Sequence, residues 1–386
     1  MFGRSHSSIA AAALLPALAV MSAACSEAPP AGPAPLTDEA LAAVGENIGA
    51  PRDQVAREID ELFTKEGLGE TRAVLLYANG NLAAERYAKG YDAQTRFISW
   101  SMAKTVTAVL IGMLVADGLL NVDEPAPISL WQRSGDPRSD ITLKQLLQMS
   151  SGLRHTEAGD PPYESSEVRM LFLDGRDDMA RWAKEQPLES EPGERFEYSS
   201  NTTVVLADIA ASALTASSDP NARREAVASY LQQRLFAPLG MASMVPEFDA
   251  SGTLIGGSLM HATAHDWARF GEFLRAGGQA PSGEQLVPNR WVEEMLEPSP
   301  TAQQYGYQIW LNRPLGQKGA EWGHPLFPER APASMFSLIG HMGQYVLVSP
   351  EQGLTLVRLG HSTSEERPPM LQEAADVMAL YPVAGE

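Results

Sequence analysis

The sequence predicts an α/β fold of the α+β kind, in which an antiparallel β-sheet is flanked by helices and interrupted by an inserted, mostly helical subdomain. Two observations lead to this prediction. Strand-like patterns occur at about 72–87 and again between 304 and 359, near the two ends of the chain. Between about 120 and 260, helical periodicity and long loops rich in Pro, Gly and Asp predominate. The sheet should therefore be assembled from both ends of the chain around the helical part.

The first 24 residues have the composition of a signal peptide. Arg4 supplies a positive start, residues 9–20 are apolar, and Ser22-Ala23-Ala24 forms a small-residue cleavage site. Cys25, the single cysteine, resembles the lipid-acceptor cysteine of bacterial lipoproteins, although those prefer Leu where this chain has Ser22. An ordinary secretory signal with an incidental cysteine is the alternative. We expect an exported protein of the periplasm or outer envelope, bound to a membrane only through a lipid on Cys25.

The chain has a formal net charge of -19 and no basic run. Because phosphate contacts require clustered Lys and Arg, this composition argues against a nucleic-acid partner. A lone cysteine excludes an internal disulfide, so the stability must come from the core. Residues 25–50 are expected to form a lipid-anchor and linker segment. Residues 51–386 are expected to form one domain, with an α/β part at about 51–118 and 290–386 and a helical part at about 119–289.

The secondary-structure elements follow from periodicity and turn signals. Helical patterns at 37–47 and 51–66 come first. Two apolar runs, 72–77 and 82–87, flank Asn79-Gly80, and Asn-Gly between such runs is typical of a β-hairpin. Further helices are predicted at 141–150, 203–213, 223–236, 263–276 and 369–380, and further strands at 304–311, 335–339, 344–348 and 354–359.

Within the segment 97–114, the residues after Trp100 predict a buried helix, since they are apolar on most faces and the pattern ends at Asp117-Gly118. Ser101 and Lys104 lie in its first turn. Residues three apart share one face of a helix at about 5–6 Å, so the hydroxyl and the amine can touch. Burial disfavours the charged form of a lysine, and a neutral amine beside a serine is a base beside a nucleophile.

The alternative is that Ser101 caps the helix and Lys104 is solvated. Two features favour the catalytic interpretation. Lys104 is the only lysine of the chain that has a serine three residues before it. It also lies within the most apolar helix predicted after the signal segment, which is an expensive place for a charge without a function.

Two further segments contribute candidate residues. Tyr198 lies in a loop just before a predicted helix, and its phenol could relay the serine proton if a cation such as Lys104 lowered its pKa. Gly343 has no side chain and opens a strand pair, so a substrate could approach the backbone there. His341 could orient the substrate. Each segment also has a structural interpretation: Tyr198 as a packing aromatic, Ser200 as a helix cap and His341 as a structural histidine.

Together these residues resemble the serine β-lactamase and penicillin-binding-protein superfamily, and within it the class C β-lactamase-like esterases, peptidases and amidases. Ser101-Met102-Ala103-Lys104 matches the Ser-x-x-Lys motif. Tyr198-Ser199-Ser200 matches Tyr-x-Asn with serine in place of asparagine, and His341-Met342-Gly343 matches the His-x-Gly form of Lys-Thr-Gly. The segment 135–138 leans toward the aminohexanoate-oligomer hydrolases. Three motifs in this order are far more specific than any one of them.

The resemblance implies a catalytic domain with a β-lactamase/transpeptidase-like fold, acting through an acyl-enzyme on Ser101. It implies that Lys104 and Tyr198 share the proton transfer and that the backbone N–H groups of Ser101 and Gln344 form the oxyanion hole. No metal and no cofactor is implied. On the substrate side it places Ser200, His341 and Gly343.

An ester or amide is the first expectation for the substrate. A β-lactamase or D-alanyl carboxypeptidase is an alternative, and a catalytically silent binding or sensor domain with the same fold is another. There is no Gly-x-Ser-x-Gly segment, which argues against an α/β-hydrolase. His261 and His265 have the spacing of a zinc pair, but no Glu follows His261, which argues against a metal site.

Overall fold

A computed structural model describes residues 35–315, 326 and 329–383. The expected signal peptide, its cleavage site and Cys25 lie outside the described residues. Within the described ranges, no helix is both long enough and apolar enough to cross a membrane.

The strands come from both ends of the chain. The main sheet has six strands with antiparallel neighbours, and a second sheet has three short ones. In chain order the strands are β1 (Glu70–Ala78), β2 (Asn81–Tyr87), β3 (Phe97–Ile98), β4 (Val245–Pro246), β5 (Met260–Ala262), β6 (Trp310–Leu311), β7 (Phe336–Gly340), β8 (Gln344–Ser349) and β9 (Leu354–His361). The main sheet has the order β2-β1-β9-β8-β7-β6 and the second sheet the order β3-β5-β4. The predicted fold class is confirmed.

Helices flank the main sheet and make up most of the middle of the chain. In chain order they are α1 (Asp38–Ala42), α2 (Arg52–Thr64), α3 (Ala103–Ala116), α4 (Leu143–Leu147), α5 (Ser166–Phe172), α6 (Met179–Lys184), α7 (Ser200–Leu214), α8 (Pro220–Leu231), α9 (Ala237–Leu239), α10 (Ala264–Arg275), α11 (Asn289–Met295) and α12 (Arg367–Ala379). Seven of them, α3 to α9, lie between β3 and β4 in the sequence.

The two faces of the main sheet pack against different helices. On β1, Leu75 belongs to the core that includes α3 and α10, whereas Val74 and Leu76 belong to the core that includes α2 and α12. This division follows from the strand geometry, because successive side chains point to opposite faces of a sheet. The sheet is therefore buried on both sides, and α3 lies on the face that also contacts the helical part.

Several elements are shorter than the sequence predicted. Of the expected strand 304–311 only β6 remains, because the chain before it folds into turns, with the Ser299 N–H bonded to Tyr305 O at 2.7 Å. The helix expected at 141–150 is limited to α4. Its start is fixed by the capping box of Thr142, and Met149 has a φ of 56°, which no α-helix contains.

Candidate active site

Ser101 lies in a 3₁₀ turn, Trp100–Met102, that leads directly into α3. Trp100 has a φ of 44°, a left-handed conformation that a bulky residue rarely adopts, and such strain is typical of functional sites. Lys104 is only 1% exposed, and its Nζ lies 2.9 Å from Ser101 Oγ. The alternative in which Lys104 is solvated is therefore wrong.

The Lys104 ammonium group lies close to several hydrogen-bond acceptors. They are Ser101 Oγ at 2.9 Å, Ser200 Oγ at 2.7 Å and Gly257 O at 2.9 Å, while Glu157 Oε1 lies 3.5 Å away. Burial lowers the pKa of Lys104, but Tyr198, Glu157 and Glu167 together raise it by more, so the net shift is upward. The expectation of a neutral amine is wrong for the resting site, because burial was considered without these partners.

Tyr198 is buried beside both residues. Lys104 Nζ lies 4.7 Å from the centre of its ring, and the ring packs against Tyr305 and Trp310 at centroid distances of 5.8 and 5.2 Å. Burial raises the pKa of Tyr198, although the charge of Lys104 and hydrogen bonds with Ser101 and Lys104 oppose this shift. The structure thus brings Tyr198 to Ser101 and Lys104, as a neutral phenol rather than one with a lowered pKa.

Ser200 begins α7 and has no exposed surface. Its Oγ contacts Lys104, and Gly257 packs so closely that a Cβ on that glycine would lie 2.9 Å from Ser200 O. A fully buried hydroxyl cannot touch a substrate, so the role expected for Ser200 on the substrate side is wrong. Ser200 is instead a hydrogen-bond partner of Lys104.

Two glutamates that were not recognised in the sequence complete the surroundings of Ser200. Glu157 lies in the loop before α5 and Glu167 lies in the first turn of that helix. Glu157 Oε1 and Glu167 Oε1 lie 2.7 and 2.9 Å from Ser200 Oγ, and Glu157 Oε2 accepts the Ser200 N–H at 2.6 Å. Burial, reinforced by the charge of Glu157, raises the pKa of Glu167 to about 8.

The end of β7 lies against the turn that contains Ser101. A Cβ on Gly340 would lie 2.3 Å from Ser99 O, so only glycine permits this approach. The next residue, His341, lines the cavity and meets the Trp100 ring edge to face at a centroid distance of 5.4 Å. Burial, and then the charge of Arg367, lowers the pKa of His341, so its imidazole is neutral at pH 7.

Gly343 and Gln344 lie beyond this edge and do not line the cavity. Gln344 pairs with Gly340 in the ladder, and its amide exchanges two hydrogen bonds with Gly360, of 2.7 and 3.1 Å. Gly343 has a φ of 83°, and a Cβ there would lie 2.7 Å from Arg358 Nη1. The substrate-side roles expected for Gly343 and Gln344 are therefore wrong, because contacts with β9 determine both positions.

A cavity of about 530 Å³ opens over Ser101. Most of its surface is apolar, and its polar groups lie near the serine and at the end of β7. The apolar and aromatic lining consists of Trp100, Ala158, Val168, Leu171, Phe172, Trp310 and Ile339, and the titratable lining of Glu157, Glu167, Tyr198, His341 and Arg367. Ser101 is thus accessible to a small molecule, whereas Lys104 and Ser200 lie beneath the surface.

His261 and His265 contact different carboxylates. His261 Nδ1 lies 3.2 Å from Glu247 Oε1, and His265 Nε2 lies 2.8 Å from Glu85 Oε1. Neither histidine lines the cavity.

A serine that contacts a lysine three residues on and a tyrosine from another segment, beside an antiparallel sheet, is the arrangement of the serine hydrolases of β-lactamase and penicillin-binding-protein type. The chain belongs to the β-lactamase family, whose model matches residues 64–379. The superfamily indicated by the sequence motifs is confirmed.

Individual relatives are distant. The 6-aminohexanoate-dimer hydrolase of Paenarthrobacter ureafaciens is 24% identical over 259 residues, which cover 63% of this chain but only 62% of that protein's length. Among solved structures, a Bacillus anthracis protein provisionally named a 6-aminohexanoate-dimer hydrolase has a TM-score of 0.63 at 22% identity, covering 79% of each chain. EstCE1, a hydrolase with promiscuous acyltransferase activity, has a TM-score of 0.61 at 17% identity and covers 84% of this chain and 99% of its own. These structures establish the fold.

Proposed function

We propose that this protein is an exported serine hydrolase that cleaves an ester or amide through an acyl-enzyme on Ser101. The supporting observation is the 2.9 Å contact between Ser101 Oγ and Lys104 Nζ at the base of the cavity. A nucleophile in contact with a proton-transfer group is the requirement of covalent catalysis. Ser101 attacks the carbonyl, its proton passes through Lys104 and Tyr198 to the leaving group, and water then releases the acyl group.

The oxyanion hole is formed, in this proposal, by the backbone N–H groups of Ser101 and His341. The Asn312 N–H donates to Met335 O at 3.0 Å, so the backbone polar groups of Met335 point toward β6. Because these groups alternate in direction along a strand, those of every second residue after Met335 point the same way. His341 belongs to that series, whereas Gln344 faces β7 inside the ladder. Losing one such donor typically costs about 3–4 kcal/mol of transition-state stabilisation.

The cavity walls favour an apolar acyl group. Val168, Leu171 and Phe172 from α5 and Trp310 from β6 lie on the lining, and Phe172 is 50% exposed. Since apolar contact is worth about 25 cal/mol for each Å² removed from water, an acyl chain of several carbons gains from lying on these side chains. We therefore place an ester or amide of a medium-length acyl group first.

Arg367 supports a second candidate, a substrate with a carboxylate such as a β-lactam or a D-alanyl peptide. It lines the same cavity. A guanidinium binds carboxylates well. The neutral His341, however, does not supply the cation that the Lys-Thr-Gly element provides in many relatives, so this candidate ranks second.

Labelling with a fluorophosphonate and with a fluorescent penicillin, side by side, distinguishes the candidates. We expect fluorophosphonate labelling and hydrolysis of p-nitrophenyl butyrate by the wild type, and neither by Ser101→Ala. Penicillin labelling that is equally strong and depends on Ser101 would assign the protein to the lactamases or peptidases. A folded wild type that reacts with neither probe and hydrolyses no ester would remove the hydrolase proposal.

A further inference from the structure

The acyl transfer described above leaves the Glu157 and Glu167 carboxyl groups without a role. Both groups approach Ser200 Oγ, at 2.7 and 2.9 Å, and Lys104 Nζ approaches the same atom at 2.7 Å. The Glu157 side chain is only 13% exposed. Ser200 therefore lies between the amine that contacts Ser101 and a pair of carboxyl groups.

The hydrogen bonds at Ser200 Oγ determine which of the two carboxyl groups is protonated. A hydroxyl has one proton and two lone pairs. One lone pair accepts from Lys104, and the hydroxyl proton goes to one carboxylate, so the second carboxyl group is satisfied only if it donates a proton of its own. Glu157 is the carboxylate, because its Oε2 accepts the Ser200 N–H. Glu167 is the protonated partner, in accord with its raised pKa.

We propose that Ser200 relays a proton from Lys104 to the Glu157 carboxylate and so produces the neutral amine that accepts the Ser101 proton. An N–H bond of Lys104 breaks as an O–H bond forms on Ser200 Oγ, and the original Ser200 proton moves to Glu157 Oε1. An ammonium and a carboxylate become an amine and a carboxylic acid, and no proton is lost.

The relay fits the acyl-enzyme cycle, and it rests on the function proposed above. Ser101 gives its proton to Lys104 while Oγ attacks the carbonyl, and Lys104 passes that proton through Tyr198 to the leaving group. During deacylation the attacking water loses a proton, which returns through Tyr198 and Lys104 to Ser101 Oγ. When the product leaves, Glu157 returns its proton through Ser200. Glu157 holds the proton that Lys104 gives up. Because it acts through Lys104 and not on the reacting atoms, it is a positioning residue.

Substrate binding supplies the driving force. A substrate that fills the cavity excludes water, and burial penalises an ion pair more than a neutral amine and acid. A protonated Glu167 also keeps a second negative charge away from Lys104. The titratable and charged groups that face Glu157 are Lys104 from α3, Glu167 from α5, Tyr198 and Tyr305 from loops, His341 from the end of β7 and Arg367 from α12.

Three isosteric variants test the relay. Glu157→Gln removes the proton acceptor, Glu167→Gln imitates the protonated acid, and Glu164→Gln changes an exposed carboxylate of the same segment as a matched control. We expect Glu157→Gln to lower kcat/KM for p-nitrophenyl butyrate about 100-fold or more and to remove the acid limb of the pH profile. Glu167→Gln should lose a transition near pH 8 from its pH profile. Glu164→Gln should match the wild type at every pH.

A fourth variant completes the test. Ser200→Ala should lose as much activity as Glu157→Gln, and the double variant should be hardly worse, because groups that act as a unit are non-additive. Thermal unfolding shows whether each variant is folded. If Glu157→Gln does not fold, the kcat/KM of folded Ser200→Ala decides, because Ser200 carries the proton between Lys104 and Glu157.

The relay is overturned by wild-type kcat/KM in folded Glu157→Gln, by an equal loss at every pH, or by wild-type kcat/KM in folded Ser200→Ala. Fluorophosphonate labelling separates this result from failure of the proposed function. A wild type that is labelled and hydrolyses esters, with a pH profile unaffected by Glu157→Gln, refutes the relay alone. A wild type that is neither labelled nor active refutes the proposed function.

Discussion

Replacing Gly340 with alanine should impair catalysis by moving the end of β7 away from Ser101. A Cβ at position 340 would lie 2.3 Å from Ser99 O and 2.8 Å from Gln344 Cβ, whereas real Cβ atoms essentially never approach other atoms within 3.0 Å. Ser99 O belongs to the backbone of a segment that is tied to Met260 by a hydrogen bond of 2.8 Å. Neither neighbour is the flexible end of a side chain, so the strand or the turn must move.

The smallest displacement is 3.0 − 2.3 = 0.7 Å, directed between the strand and the turn. His341, whose N–H is the proposed oxyanion donor, is the next residue and moves with the strand. Because a misplacement of about 1 Å can cost ~100-fold in rate, kcat/KM should fall by a factor on the order of 100. The free energy of unfolding should fall by about 1–3 kcal/mol, as is usual for an overpacked site.

Hydrolysis of p-nitrophenyl butyrate gives kcat and KM, and thermal unfolding measures stability independently. Gly45→Ala is the matched control, because its Cβ would have its closest contact at an ordinary 3.5 Å and its backbone does not require glycine. We expect the control to keep wild-type kinetics. A folded Gly340→Ala enzyme with near wild-type kcat/KM would show that the end of β7 plays no part in stabilising the transition state.

The remaining predictions concern four other parts of the molecule. Ser101→Ala and Lys104→Ala should each lower kcat for ester hydrolysis by several orders of magnitude, with the double variant hardly worse than either, and losses that simply add would contradict a shared mechanism. His341→Ala should lose less than about tenfold in kcat/KM at pH 7, since the proposed contribution is a backbone N–H and the neutral ring transfers no charge; a loss as large as that of Ser101→Ala would oppose this. Burial lowers the pKa of His155 to about 4, so the unfolded state binds a proton at a higher pH than the folded state does. The free energy of unfolding should therefore fall by about 3 kcal/mol between pH 6.5 and 4. Urea titration of His155→Gln should show that this dependence of the unfolding free energy on pH is lost. Mass spectrometry of the mature protein should find diacylglycerol on Cys25, and an unmodified N-terminus elsewhere would exclude the lipoprotein proposal.

The fold could be predicted from the sequence largely because the hydrophobic patterns of its helices and its strands are clear. The hairpin of β1 and β2 has an Asn-Gly turn between apolar runs, and β8 and β9 are predominantly apolar segments of the right length. The contact of Ser101 with Lys104 was also predictable, since it follows from helical spacing alone. The short strands of the second sheet were not predictable, because two or three residues show no period.

The end of β7 could not be placed from the motif. His341-Met342-Gly343 has the letters of the expected element, yet these residues turn the chain into β8. The glycine that permits close approach is Gly340, and only the pairing of the strands shows which residues face Ser101. Gly343 lies in the turn, where a positive φ and the close approach of the Arg358 side chain both require glycine.

The protonation state of the site depends on residues distant in sequence. Glu157 and Glu167 lie in a segment without clear periodicity, and nothing in their spacing relates them to Lys104. One signal was present: Ser200 replaces the longer asparagine usual at that position, and a shorter side chain leaves room that other polar groups must fill. Burial alone predicted a neutral Lys104, and the positions of Tyr198, Glu157 and Glu167 together reverse that conclusion.

Peptide mapping by mass spectrometry after reaction with a fluorophosphonate identifies the nucleophile, on which the proposed function depends. We expect one phosphonyl group per chain, on the peptide that contains Ser101, with both the adduct and ester hydrolysis absent from folded Ser101→Ala. An adduct on a different residue of the wild type, or ester hydrolysis retained by Ser101→Ala, would contradict it.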